Sequence, residues 1–346
     1  MSLRDRARLV LPGLLRQQSR MSSVVQVAIH PSQFPEQVRR DLLESLRARV
    51  VNHKFHYDSA RQTQKWLALH EAYSPARNDD DCLATYDRSF VATARRMEAK
   101  SVHLIGLGAG GGQKDTRLLE LLRRDGKEIS YTASDVSTAM VLTARKRALS
   151  VVPAEKCRVL VCDLATAENL AEVLAEQDDS RAARLITFFG MIPNFEPQLI
   201  LPRLAVLVRP EDYLLFSANL APGGDYAAGV QRVLPLYDNE LTRDWLMTFL
   251  LDLGVEREDG SMRFVVEDDA GLKRIAAHFH FDRARKIRVE GEDFEFHAGE
   301  RIRLFFSYRH TPELVKKLLR AHKLTVLEQW VTKSEEEGVF LCRREG

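Results

Sequence analysis

The chain has no long apolar run, little cysteine and almost no net charge, and each shortage removes a class of protein. Its greasiest stretch, residues 200–208, is broken by Arg203, so nothing reaches the roughly 18 uninterrupted apolar residues of a membrane-spanning helix. The four cysteines in 346 residues, Cys82, Cys157, Cys162 and Cys342, form no C-x-x-C pair and show no metal-ligand spacing. That argues against a disulfide scaffold or a metal site and for buried thiols in a reducing, cytoplasmic setting. The 51 basic and 49 acidic side chains leave a formal charge of +2. Arginines 4, 6, 8, 16 and 20 stand near the start beside one acid, Asp5, so the rest of the chain is slightly acidic. Such a body is not built to cover a phosphate backbone, which excludes nucleic acid as a first expectation. The opening 21 residues have a basic start and a short apolar piece, but Pro12 interrupts it and no A-x-A-like cleavage site follows, and they resemble an Arg-rich, acid-poor transit peptide only weakly. They fit a dispensable extension before a second start at Met21 at least as well.

What is present is a globular α/β pattern without repeats. Residues 35–97 read as helices: Pro35 opens a segment with Val38, Leu42, Leu43, Leu46 and Val50 at helical spacing, and Asp79, Asp80 and Asp81 open another. From Ser101 short apolar runs alternate with amphipathic segments, in the order SVHLIGLG, 114–124, EISYTAS, 136–149, RVLVCDL, 167–176, RLITFFG, 197–208 and DYLLFSA. Strict alternation predicts right-handed crossovers and a doubly wound parallel sheet. Residues 226–253 read as helix, and IAAHFHF, KIRVEGEDFEF and RIRLFFS keep the period of two of a sheet with one wet face. A helix over 314–322 then precedes LTVLEQWV and GVFLCR. The expected layout is an extension over 1–34, a helical cap over 35–98, a nucleotide-type core over 99–225 and a β-rich substrate region with a return to the core over 226–346.

The segment HLIGLGAGGGQKDTRLLELL leaves a strand and enters a helix through a glycine turn. Glycine suits such a turn because a Cβ would block a ligand's approach and penalise positive φ. Gly106, Gly108 and Gly111 satisfy G-x-G-x-x-G, which fits NAD, FAD and S-adenosylmethionine equally, or a tight turn with no ligand. Asp135 ends the second strand, where a carboxylate accepts from ribose hydroxyls, and Asp163 ends the third, where it accepts from an adenine amino group. Either alone is an ordinary helix N-cap. In register with the glycine turn they favour the class I methyltransferase arrangement, since a sulfonium cofactor needs no phosphate cradle.

Six ordered segments, spread from Lys54 to near the C-terminus, then resemble a known family, the histidine-specific, S-adenosylmethionine-dependent Nα-methyltransferases, to which fungal dimethylallyltryptophan N-methyltransferases are related. KFHYD (54–58) resembles W-F-Y-D, EAYSPAR (71–77) resembles E-Y-Y-P-T-R, and GLGAGGGQKDTR resembles G-S-G-x-x-x-K-T-R. FFGMIPNFEP resembles F-L-G-S-T-I-G-N-x-x-P, LYDNE resembles A-Y-D-D, and FHAGERIRLFFSYRHTPE resembles F-x-x-G-E-x-I-x-T-E-x-S-x-K-F. The resemblance implies a class I methyltransferase fold with S-adenosylmethionine held by Gly106, Gly108, Lys114, Asp135, Asp163, Leu164 and Gly190. It also implies that Tyr73, Asn194 and Tyr237 hold the amino and carboxylate groups of an amino-acid acceptor, with Tyr57 and Ser307 beside it.

The departures are informative. Where the family has an imidazole-reading glutamate this chain has Phe305, and where it has a bulky methionine this chain has Ala277. A buried imidazole N–H left unpaired costs about 1–3 kcal/mol, so histidine is disfavoured unless His278, His280 or Asp244 takes the ring. The expectation is a larger, mostly apolar acceptor, with tryptophan or another aromatic amino acid leading and histidine as the alternative. A nicotinamide-dependent oxidoreductase and an inactive methyltransferase-like binding protein are the competing readings. His278 and His280 lack a third ligand and read as satisfied or solvated histidines, so no metal is expected. The oligomeric state is not legible.

Overall fold

The computed structural model describes residues 24–176 and 182–345, so the readings of the first 21 residues lie outside the described residues. In chain order the strands are β1 (Ala28–Ile29), β2 (Ser101–Leu107), β3 (Glu128–Asp135), β4 (Cys157–Val161), β5 (Ala183–Phe188), β6 (Tyr213–Asn219), β7 (Gly260–Asp269), β8 (Leu272–Phe281), β9 (Arg285–Val289), β10 (Glu292–Phe296), β11 (Arg301–Arg309), β12 (Leu324–Val331) and β13 (Glu337–Arg344). Among the described residues eight of these form one sheet in the order β1-β4-β3-β2-β5-β6-β13-β12. Pairings from β1 through β6 are parallel, whereas β13 enters antiparallel between β6 and β12. After Ser101 every residue of β2 is buried, the two-faced burial that a parallel sheet interior imposes. Helices Asp80–Arg96, Gln113–Arg124 and Thr138–Ala148 cover one face, and Leu170–Glu176, Pro197–Leu207 and Pro312–Arg320 cover the other. Local caps fix where they start: Asp79 accepts from Cys82 N at 2.6 Å and Thr311 from Leu314 N at 3.2 Å.

A third core joins the N-terminal helices to the C-terminal half. Helix Pro35–Ala48 ends at Arg49, whose φ is 57°, and the chain then runs beside β11, with Val51 N donating to Arg303 O at 2.9 Å. Leu46, Phe55, Trp245, Phe249, Phe279 and Phe305 bury one another here. The strands β11-β8-β7 form a small antiparallel sheet and β9-β10 a hairpin.

Three details differ from the sequence reading. Strand β7 was not anticipated, because as the edge of its sheet it buries Met262 and leaves little period-two signal. Residues 226–253 are two helices, Tyr226–Val233 and Glu240–Asp252, not one. Pro235 supplies no donor between them, and Asn239 caps the second by accepting from Thr242 N at 2.9 Å. The short edge strand β1 is the third.

In the main sheet Phe216 and Phe340 stack with ring centroids 5.3 Å apart, where β6 meets β13. Phe340→Ala removes a fully buried ring from that joint and should destabilise the protein by about 3–5 kcal/mol, read as a lowered urea midpoint with little change in slope.

Candidate active site

In an open parallel sheet the carboxyl ends of the strands face a crevice, because the connections run to opposite sides there. Here that crevice is a cavity of about 640 Å³, within the roughly 300–1,000 Å³ of small-molecule sites. At one end the glycine turn after β2 bends under positive φ. A Cβ on Gly108, at φ 60°, would sit 2.7 Å from the Met191 side chain. Gly106 lies beneath the turn rather than on the cavity wall, and a Cβ there would strike the Asp115 carboxylate at 2.2 Å. Asp115 is buried and accepts from Tyr131 OH at 2.7 Å and Thr187 Oγ1 at 2.8 Å, so a hidden carboxylate braces the turn across β3 and β5. Burial raises its pKa, partly offset by those donors.

Asp135 and Asp163 stand at the ends of β3 and just beyond β4 and both line the cavity. Asp135 accepts from Ser137 N at 3.1 Å and Gly110 N at 3.0 Å, and burial still lifts its pKa to about 6. Asp163 Oδ1 accepts from Ala165 N at 2.8 Å, while its buried Oδ2 has no hydrogen-bond partner; Lys54 Nζ lies 3.8 Å away. The buried Lys54 ammonium also pairs with Asp41 of helix Pro35–Ala48 and donates to Gln33 Oε1 at 3.3 Å. Lys114 lines the same cavity and donates to Tyr86 OH at 2.6 Å, with Glu337 3.6 Å away.

The mouth is aromatic. Tyr57 meets Trp66 edge to face at 5.9 Å and Trp66 stacks on His70 at 4.8 Å. Tyr73, next along, is 54% exposed. At the far end Gly190, at φ 70°, faces open space that a Cβ would enter. Asn194 donates to Phe306 O at 2.9 Å, and Asn219 lies 3.4 Å from both Tyr237 OH and Ser307 Oγ. Tyr237 in turn donates to Ser307 Oγ at 2.9 Å and accepts from Arg309 at 2.9 Å. His53, Phe195, Glu196, Arg303 and Phe306 complete this wall.

The structure therefore brings Tyr57, Tyr73, Gly108, Lys114, Asp135, Asp163, Leu164, Gly190 and Asn194 onto one cavity. Tyr237 and Ser307 sit behind Asn219, outside the wall itself. Phe305 and Ala277 require correction: they are cross-strand partners in β11 and β8, both buried, and do not line the cavity. Phe305 packs between Trp245 at 5.9 Å, His53 at 5.2 Å and Tyr237 at 6.2 Å. The reason is a register shift in β11 between Arg303 and Phe305, which leaves Arg303 and Phe306 on the wall. Sequence reasoning assigned no role to His53, Lys54, Glu196, Asn219 or Arg303. A lysine quoted in KFHYD was visible, but its pairing with Asp41 and Asp163 is long-range.

The family of histidine-specific, S-adenosylmethionine-dependent methyltransferases matches residues 38–344, and the chain belongs to it. It is accordingly a methyltransferase that uses S-adenosylmethionine, and the nicotinamide reading of its glycine turn falls away. The chain is similar to the N-methyltransferase imqF of Aspergillus flavus, 25% identical over 78% of this chain and 73% of that protein. Among solved structures it is similar to the CcbJ methyltransferase of Streptomyces caelestis, at 12% identity and a TM-score of 0.38, covering 75% of this chain and 94% of that one. It is also similar to the mitomycin 7-O-methyltransferase MmcR, at 16% identity and a TM-score of 0.41, covering 91% and 70%. Among the described residues no helix is long and apolar enough to cross a membrane.

The pocket observations fit this cofactor. The orphaned Asp163 Oδ2 suits an adenine amino donor, and the space before Gly190 suits a ligand pressed on backbone. The buried histidines give a direct check on the site's dryness. Burial holds His53 down at about 3, with His56 and Arg303 adding to the shift, and burial holds His70 near 3 as well. A folded value below the unfolded 6.5 means that the unfolded chain takes up the proton first, so these groups subtract stability as pH falls below about 6.5. In ring-15N NMR, assigned with His53→Gln, the His53 imidazole should stay neutral from pH 8 to pH 5. A midpoint near 6.5 would mean that the wall is wet.

Proposed function

We propose that the protein transfers a methyl group from S-adenosylmethionine to the α-amino nitrogen of a free amino acid or close derivative, with an aromatic amino acid preferred over histidine. The observation that carries this reading is the polarity of one cavity, which runs from the two strand-end carboxylates, Asp135 and Asp163, to a wall of neutral amides, Asn194 and Asn219, with Phe195 and Phe306. In this reading Asp135 takes the ribose hydroxyls, Asp163 Oδ2 the adenine amino group, and Lys114 and Leu164 flank the cofactor. Residues 35–98 cover the site and contribute His53, 99–225 supply the cofactor face and the Asn194 and Asn219 part of the acceptor wall, and 226–346 complete that wall with Arg303 and Phe306.

S-adenosylmethionine, when bound, supplies an electrophilic methyl on sulfur. An amine lone pair would form the new N–C bond as the C–S bond broke, the C–S electrons would stay on a neutral thioether, and the proton on the resulting ammonium would pass to bulk water when the product leaves. The chain's part is to aim a neutral amine in line and keep water away. Asn194 suits this because its Oδ1 is left to accept from the amine while its Nδ2 is held by Phe306 O. Tyr57 is half-buried, and desolvation together with Asp135 raises its pKa, so it stays a neutral phenol that orients without adding charge. Tyr237 and Ser307 act through Asn219 in this scheme. The preference against histidine no longer rests on Phe305 and Ala277. It rests on Glu196, a carboxylate of this wall, already accepting from Arg274 at 3.1 Å and from Tyr308, which offsets its charge and weakens its pull on an imidazole.

Mass spectrometry of a pool of amino acids and amines incubated with the protein and S-adenosylmethionine tests the reading. Products heavier by one to three methyl groups on an α-amine support it, and methylation confined to hydroxyl or thiol acceptors contradicts it. For the cofactor end, Asp135→Ala should weaken S-adenosylmethionine at least about tenfold, or about 1.4 kcal/mol. Because the bound form needs the anion and burial places its pKa at about 6, wild-type affinity should fall as pH drops from 7 to 5. Asp135→Asn should lack that component in calorimetric titrations.

A further inference from the structure

Two polar side chains on the acceptor wall carry buried nitrogens without a hydrogen bond. Neither ring nitrogen of His53 has a partner, and neither does Arg303 Nε. The nearest carboxylates to the Arg303 guanidinium, Glu196 and Glu267, are each 3.9 Å away, too far to accept. Both are already taken: Arg274 lies 3.1 Å from Glu196 and 2.9 Å from Glu267, and Glu267 also holds His278 Nε2 at 2.7 Å. The Arg303 side chain is only 16% exposed, so a guanidinium has been taken largely out of water with Glu196 and Glu267 near enough to attract it and too far to hydrogen-bond it. A buried guanidinium with an unpaired Nε calls for an acceptor within hydrogen-bond distance.

The fold makes this juxtaposition rigid. Residue Val50 bridges to Arg303, with Arg303 N donating to Arg49 O and Val51 N donating to Arg303 O, each at 2.9 Å. That pairing delivers His53 to the face of β11 from which Arg303 projects. Both groups flank one ring, that of Phe306: the His53 centroid is 4.7 Å from it and the Arg303 guanidinium carbon 5.1 Å. All three line the cavity.

We propose that Arg303 and His53 form a carboxylate subsite for the methyl acceptor, the guanidinium donating to the carboxylate oxygens and the neutral imidazole donating one further N–H. The proposal rests on the function given above and names a subsite within it. A planar carboxylate matches the guanidinium fork, and it satisfies both orphaned donors at once. It also moves carboxylate recognition away from Tyr73, which stands exposed at the mouth. The carboxylate is either the α-carboxylate of an amino acid or one carried on the acceptor's side chain.

Calorimetry on the full chain with S-adenosylhomocysteine present tests the subsite with four pairs of probes: L-tryptophan and tryptamine, L-tyrosine and tyramine, L-histidine and histamine, L-glutamate and γ-aminobutyrate. At least one carboxylate-bearing probe should bind tenfold or more tightly than the amines that lack a carboxylate, and Arg303→Gln should erase that difference while S-adenosylhomocysteine affinity stays within twofold. L-glutamate and γ-aminobutyrate bound equally, with no difference within the other three pairs, would assign the side-chain carboxylate, and tighter binding of the amino acid in every pair that binds would assign the α-carboxylate. Arg303→Lys should restore part of the discrimination, and His53→Gln should lower it about threefold. These two variants carry the test if Arg303→Gln does not fold. No carboxylate preference in the wild type, or one unaltered by Arg303→Gln, overturns the subsite. Methyl transfer to amines without dependence on Arg303 leaves the N-methylation reading standing, and carboxylate binding without transfer does the reverse.

Discussion

A buried ammonium, Lys54, holds the cap and the cofactor face in one arrangement. It pairs with Asp41 of the first helix, reaches Gln33 in the strap that precedes it, and lies 3.8 Å from Asp163 beyond β4. Removing one partner from such a cluster strands a charge in low dielectric, a loss of about 3–5 kcal/mol, so the three segments are constrained to meet. Much else follows from that meeting. The chain after helix Pro35–Ala48 is drawn alongside β11, His53 is set on the cavity wall, and Asp163 is left with one oxygen without a hydrogen-bond partner.

The cavity thereby acquires two chemically different ends. At the carboxyl ends of the strands, buried carboxylates are kept in place by backbone donors, and the adjoining glycine turn is braced from below by the Tyr131–Asp115–Thr187 network. At the other end stand the amides of Asn194 and Asn219, the rings of Phe195, Phe306 and His53 and the Arg303 guanidinium, with Glu196 bonded to Arg274. An amine entering that end meets few anions that would hold it protonated, which is the condition a nucleophilic nitrogen needs. The enzyme's contribution is thus placement and dryness, with the bond-making supplied by the reactants.

The central sheet and the glycine turn were legible because they are local. Alternation of apolar runs and amphipathic segments sets strand and helix, and the glycine spacing with Asp135 and Asp163 marks the strand ends that a parallel sheet aligns. Strand β7 was not legible, since an edge strand with one buried methionine carries little pattern. The acceptor wall was read partly wrong for a related reason. The resemblance to the family's T-E-x-S block placed Phe305 in the pocket, but a register shift after Arg303 sets Phe305 against Ala277 in the core and presents Arg303 and Phe306 instead. His53 and Arg303 carry no spacing signal at all, because they are brought together across 250 residues by a single stretch of backbone pairing.

The account stands on the cavity holding its cofactor in one direction, adenine toward Asp163 and sulfur toward Asn194. A crystal structure of the protein with S-adenosylhomocysteine measures this directly. The account predicts density with the adenine amino group within hydrogen-bond distance of Asp163 Oδ2 and the ribose hydroxyls on Asp135. Density with the adenine among Asn194, Phe195 and Phe306, or outside this cavity, would contradict it.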